Sequence, residues 1–181
     1  MMATLRSTAP EAGVEAWRTN RPASATERIE PLKVFIGAPM SALDPASYTD
    51  LRERLLGMID HIRRAETVES VYFAGSDIAS ASDFSDPAGA AASDFTALKA
   101  CDVFVFFYPE RSASSVLVEL GYALALQKRT IIIVQRVEDI PFLLRHADSE
   151  QMRRLLPRID RIVMGEGEDA TSRLLALLLQ D

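Results

Sequence analysis

Cys101 to Gln127, CDVFVFFYPERSASSVLVELGYALALQ, is the stretch on which the fold turns. Val103 to Phe107 is an unbroken run of β-branched and aromatic residues, which suits a strand covered on both faces, as in a parallel sheet. Tyr108-Pro109 ends it. Ser112, Ser114 and Ser115 then offer hydroxyls that can accept the orphan amide hydrogens of a first helical turn, and Val116, Leu120, Ala123 and Leu124 follow at helical spacing. Glu119 therefore stands about one turn into that helix. It lies at the end that faces the carboxyl edge of the sheet, where open α/β sheets bind ligands.

The flanking sequence repeats the same unit. Lys33 to Ala38 reads as a first strand, and Gly37-Ala38-Pro39-Met40-Ser41 as a loop small enough for a ligand to approach its backbone. Asp44-Pro45 is a helix cap followed by a proline at the first helical position, with Leu51, Leu55, Met58, Ile59 and Ile62 along one face to about Ala65. Ser70 to Ala74 is a second strand. Residues 76 to 92 read as a long loop carrying Asp77, Asp83, Asp86 and Pro87, with the next helix opening at Ser93 or Asp94 and turning Phe95 and Leu98 inward. Thr130 to Gln135 is a fourth strand. Ile140 to Leu144 and Glu150 to Leu156 read as short helical turns broken by Pro141 and Pro157. Arg161 to Met164 is a fifth strand, and Ala170 to Leu179 a closing helix.

Strands alternating with helices at these lengths predict a flavodoxin-like α/β domain, a three-layer sandwich around a five-stranded parallel sheet of order 2-1-3-4-5. The switch point then falls between the first and third strands. That geometry sets the Gly37 to Ser41 loop beside the Tyr108 to Ser115 turn with Glu119 beneath them, and predicts a pocket there.

Composition narrows the classes. The chain has 181 residues, 48% of them hydrophobic and 25% charged, which suits one domain with a sizeable core. A net charge of −6 with no basic stripe argues against nucleic acid as a partner. Cys101 is the single cysteine and His61 and His146 stand far apart, so neither a disulfide nor a cysteine- or histidine-based metal site is expected. Cys101 reads as a small buried hydrophobe, Asp102 as a residue that orients a neighbouring loop, and His61 as a solvated surface residue. No apolar run reaches membrane-spanning length and no signal peptide is evident, which leaves the cytoplasm as the expected location. Residues 1–31 lack periodicity and read as a flexible arm in which Val14 and Trp17 are the anchor-like positions; residues 32–181 form the domain.

The string SSVLVELGYALAL after a CDVFVFF strand resembles the strand-to-helix unit of the nucleoside 2-deoxyribosyltransferase superfamily, whose E-[LI]-G-[YR]-A motif carries the glutamate that attacks the sugar. It is similar also to Toll/interleukin-1 receptor (TIR) domains that cleave NAD. KVFIGAPMSAL, Lys33 to Leu43, matches the superfamily's first strand and loop, and SDFTALKACD matches the helix entering the central strand. The resemblance covers about residues 33 to 135. It implies Glu119 as the catalytic carboxylate and a nucleotide or nucleoside as the small-molecule partner. It also allows a homo-oligomer and, through the TIR-like kinship, a role in antiviral defence. The transferases carry an acidic or hydroxyl residue shortly before their glutamate; here that position is Ala113, and Ser112, Ser114, Ser115, Asp77, Asp86 and Asp94 are the alternatives for a proton donor.

A carboxylate near the anomeric carbon stabilises or traps the positive charge that develops as a ribosyl N-glycosidic bond breaks. Glu119 alone also suits the positive end of a helix dipole, but the apolar string around it favours the catalytic reading. Gly37, Pro39, Met40, Tyr108, Arg111, Ser114 and Ser115 complete the expected binding set. Met40 and Tyr108 would lie against a base, Ser114 and Ser115 at a phosphate or ribose, and Arg111, with Arg136, near phosphates. The expectation is an N-glycosidase that cleaves NAD or a related nucleotide without a cofactor. The alternatives are a deoxyribosyltransferase or nucleotide N-ribohydrolase, and a TIR-like assembly module that binds a nucleotide without cleaving it.

Overall fold

The computed structural model describes residues 30–80, 86–147, 149–165 and 169–180. The arm expected over residues 1–31 falls, up to residue 29, outside them. β1 (Leu32–Gly37), β2 (Val68–Phe73), β3 (Val103–Tyr108), β4 (Arg129–Val134) and β5 (Ile159–Val163) form one five-stranded sheet in the order β2-β1-β3-β4-β5. Every neighbouring pair is parallel. The expected architecture and strand order are those observed.

The sheet is covered on both sides because its strands are apolar on both faces. Val34, Ile36, Val71, Phe73, Val105, Phe107, Ile131 and Ile133 pack with α1 (Pro45–Ile62) and α5 (Ala170–Leu178). Phe35, Phe104, Phe106, Tyr108, Ile132 and Val134 pack with α2 (Pro87–Ala100) and α3 (Val116–Ala125). All of β3 is buried, as expected for the central strand of a doubly wound sheet. Each fully buried phenylalanine or valine there contributes about 2 kcal/mol by removing its surface from water. A short helix α4 (Glu150–Arg153) and 3-10 turns at Val137–Asp139 and Phe142–Leu144 join the last two strands. Asp102 accepts a hydrogen bond from the Lys33 amide at 2.8 Å, which ties the start of β3 to β1.

The structure differs from the sequence reading at two helix starts. Helix α2 begins at Pro87, so Asp94 lies in its middle instead of at its cap. The cap is Asp86, whose Oδ1 accepts from the Gly89 amide at 3.0 Å, and proline follows at the first helical position, as at Asp44-Pro45. The second difference is at α3, where no serine hydroxyl caps the first turn. Ser115 Oγ turns to Ser41 Oγ instead, 3.2 Å away, and the Leu117, Val118 and Glu119 amides donate to the carbonyls of Ser114 and Ser115.

Candidate active site

A cavity of about 650 Å³ opens at the carboxyl ends of β1 and β2, between α2 and α3. β1 and its following loop contribute Ile36, Gly37, Ala38, Met40 and Ser41; the end of β2 contributes Phe73, Ala74 and Ile78. Helix α2 gives one face of its first turns, Pro87, Ala90, Ala91, Asp94 and Phe95, with its cap Asp86 beside them, and α3 gives Ser115, Val118 and Glu119. The α2 positions recur at helical spacing, so one side of a mostly alanine helix makes the wall.

Glu119 is largely enclosed. Burial, with the Asp94 charge as a smaller cause, pushes its carboxyl up to about 8. A Cβ at Gly37 would stand 2.7 Å from Glu119 Oε2 and 2.9 Å from the Phe104 ring, so the carboxyl occupies space that only a glycine leaves open. Asp94 is raised from its ordinary value by burial, which the hydrogen bond from Tyr72 opposes. The Tyr72 hydroxyl donates to Asp94 Oδ1 at 2.9 Å, and its ring stacks on Phe35 with centroids 4.9 Å apart. Two carboxyls that disfavour a second negative charge thus face one apolar space. Burial holds both carboxyls toward the protonated form, and the Asp94 charge adds to this at Glu119, an arrangement suited to acid–base work.

Of the residues expected at the site, Gly37, Met40, Ser115 and Glu119 line the cavity. Pro39, in the same loop, is buried and is not among the lining residues. Ser114 stands beside it, its Oγ 3.5 Å from Ser41 Oγ. Arg111 is exposed and outside the lining. Tyr108 is also outside it: the ring stacks on Phe106, and the hydroxyl donates to the Ser112 carbonyl and accepts from the Ser112 amide at 2.8 Å. It closes the turn after β3 from the core side. Arg136 pairs with Asp139 at 3.1 Å, on a separate hollow with Pro109, Glu110 and Gln135. Cys101 is buried, and burial pushes its thiol up to about 11.

The cavity is therefore displaced from the turn after β3 toward β2 and α2. Asp94, Tyr72, Phe73 and Phe95 enter the site or its support, and of these only Asp94 was among the sequence candidates. Among the described residues no group of His, Cys, Asp or Glu is placed to hold a metal, and no helix is long and apolar enough to cross a membrane.

No protein-family model matches the chain, and no curated protein matches it. Solved structures do. The Clostridium botulinum CMP N-glycosidase BcmB superposes with a TM-score of 0.57 at 19% identity, over 80% of this chain and 98% of that one. The solution structure of BlsM superposes with a TM-score of 0.55 at 18% identity, over 83% of this chain and 89% of that one. Likeness at these identities shows a shared fold.

Proposed function

We propose that this protein cleaves the N-glycosidic bond of a nucleoside or nucleotide, with Glu119 acting on the anomeric carbon and Asp94 protonating the departing base. The observation that carries the reading is that the Glu119 and Asp94 carboxyls, both raised by burial, line one largely apolar cavity at the carboxyl edge of the sheet. In the reacting form Glu119 is ionised and Asp94 is protonated. The C1′–N bonding electrons leave with the base, whose nitrogen takes that proton, while Glu119 bonds C1′ or stabilises the oxocarbenium ion. Water then attacks C1′, and Asp94, now a carboxylate, accepts its proton. An acceptor base in place of water would give transfer in place of hydrolysis.

The fold shared with a CMP N-glycosidase supports the reaction class. NAD stays among the candidate substrates because nicotinamide leaves as a neutral molecule and asks for no proton, so Glu119 alone would serve it. The test is to incubate the full chain with cytidine, deoxycytidine, CMP and NAD and to separate free base or nicotinamide by chromatography. Base should appear with the wild type and fall at least a hundredfold with Glu119→Gln, the usual scale for losing electrostatic stabilisation of a transition state. Binding without release from any of the panel would replace the enzyme with a nucleotide-binding module.

A further inference from the structure

We propose that Tyr72 is a positioning residue for the reaction: it fixes which oxygen of Asp94 carries the proton and supports that carboxyl as the proton leaves, an inference that rests on the N-glycosidase reading of the same cavity. Its hydroxyl donates to Asp94 Oδ1 at 2.9 Å. Tyr72 is not among the residues that line the cavity, so it acts on a substrate only through Asp94.

Both ends of that bond are held by packing. Tyr72 stands opposite Phe35 in the β1–β2 ladder, its ring stacks on Phe35 at 4.9 Å, and the buried Phe35 ring meets Phe104 with centroids 5.6 Å apart. Asp94 lies on α2 just before Phe95, whose ring meets Tyr122 at 4.7 Å, and one turn before the fully buried Leu98. The bond is therefore in place before a substrate arrives.

A phenol that donates needs a lone pair to accept, and in a neutral carboxylic acid the oxygen without the proton supplies it. Burial first, then the hydrogen bond to Asp94 and its charge, hold the Tyr72 hydroxyl above its ordinary value, so it remains a donor throughout the neutral range. Oδ1 is thereby kept as the acceptor, and the acid proton sits on Oδ2. As the C1′–N electron pair leaves with the base, that proton passes from Oδ2 to the base nitrogen. Negative charge then appears on Asp94, and the hydrogen bond from Tyr72 strengthens with it. The other charged groups around this pair are acids: Glu119 from α3, Asp77 after β2 and Asp86 at the α2 cap. Lys128, from the α3–β4 connection, is engaged by the Lys99 and Cys101 carbonyls at the far end of α2. Among the described residues, the bond from Tyr72 is thus the contact that favours the Asp94 carboxylate against burial.

The experiment compares the full-length wild type with Tyr72→Phe, which keeps the stacked ring. Its kcat on cytidine should fall about tenfold or more, the scale of losing one hydrogen bond to a group that becomes charged, with KM little changed and NAD turnover unaltered, because nicotinamide takes no proton. The alkaline limb of the cytidine profile should move to higher pH, since the bond that lowers Asp94 is gone. In an Asp94→Asn background the same substitution should have no further effect. Full cytidine turnover, equal losses on cytidine and NAD, or a further loss beside Asp94→Asn overturns the inference. NMR titration of the side-chain carboxyl carbons reads the same bond without turnover: Asp94 should titrate at higher pH in Tyr72→Phe, and an unmoved Asp94 also overturns it. If the wild type releases base from no substrate, the glycosidase reading fails, and the titration still decides whether Tyr72 governs Asp94.

Discussion

Glu119→Gln should make the protein more stable at neutral and alkaline pH, even as it removes activity. The carboxyl is raised from 4.5 to about 8, mainly by burial. A folded-state value above the unfolded one means that folding favours the protonated acid. The carboxyl therefore costs nothing below about pH 4.5, costs progressively more as pH rises toward 8, and carries its full penalty above that. The difference between 4.5 and about 8 corresponds to roughly 5 kcal/mol at the alkaline limit and about 3 kcal/mol at pH 7. Water in the open cavity screens part of this, leaving about 2 kcal/mol at pH 7. Glutamine keeps the shape without the charge and escapes the penalty. For a chain of this size the variant should melt about 4–8 °C above the wild type at pH 7, further above it at pH 8, and within about 1 °C of it at pH 4.5. Thermal unfolding across pH 4.5 to 9 measures both. A melting difference that stays flat over that range would show that Glu119 is not held as a neutral acid.

The pH dependence of turnover should report the kind of leaving group: with a pyrimidine nucleoside kcat/KM should be bell-shaped with an alkaline limb near 8, whereas with NAD it should rise through about 8 and level off, because nicotinamide needs no proton. Identical profiles for both substrates would remove Asp94 as proton donor. Gly37→Ala places a Cβ 2.7 Å from Glu119 Oε2, so kcat should fall about 10–100-fold and stability by about 1–3 kcal/mol; steady-state kinetics with full activity would mean that the carboxyl can move without harm. Asp86→Ala removes the acceptor for the Gly89 amide and should cost about 1 kcal/mol in denaturant unfolding, with no loss at all counting against Asp86 as the cap.

The sheet was legible because β1, β3 and β4 are continuous apolar runs, and a strand of that kind has few places to go except the middle of a parallel sheet. Strand order followed from the alternation with helices. Helix α2 was misread for a physical reason: its inner face is Pro87, Ala90 and Ala91, small residues that border open space, so the apolar periodicity that marks a packed helix is missing. The Asp86-Pro87 cap was present in the sequence and matched Asp44-Pro45, yet nothing large followed it to signal a helix. Asp94 was named as a possible donor but was given no neighbours, since its environment depends on Tyr72 from β2. Tyr108 was expected, with Met40, to lie against a base. Strand alternation puts it on the same face as Phe104 and Phe106, where its hydroxyl serves the turn.

The alanine face of α2 separates two properties that most sites bind together. The carboxyls of Glu119 and Asp94 sit on α3 and deeper along α2, whereas the roominess of the cavity depends on side chains that stop at one carbon, Ala90 and Ala91. The helix is anchored elsewhere, by its Asp86 cap and by Leu98 in the core. Replacing either alanine with valine or leucine would narrow the space for a base without shifting an acid or its partner.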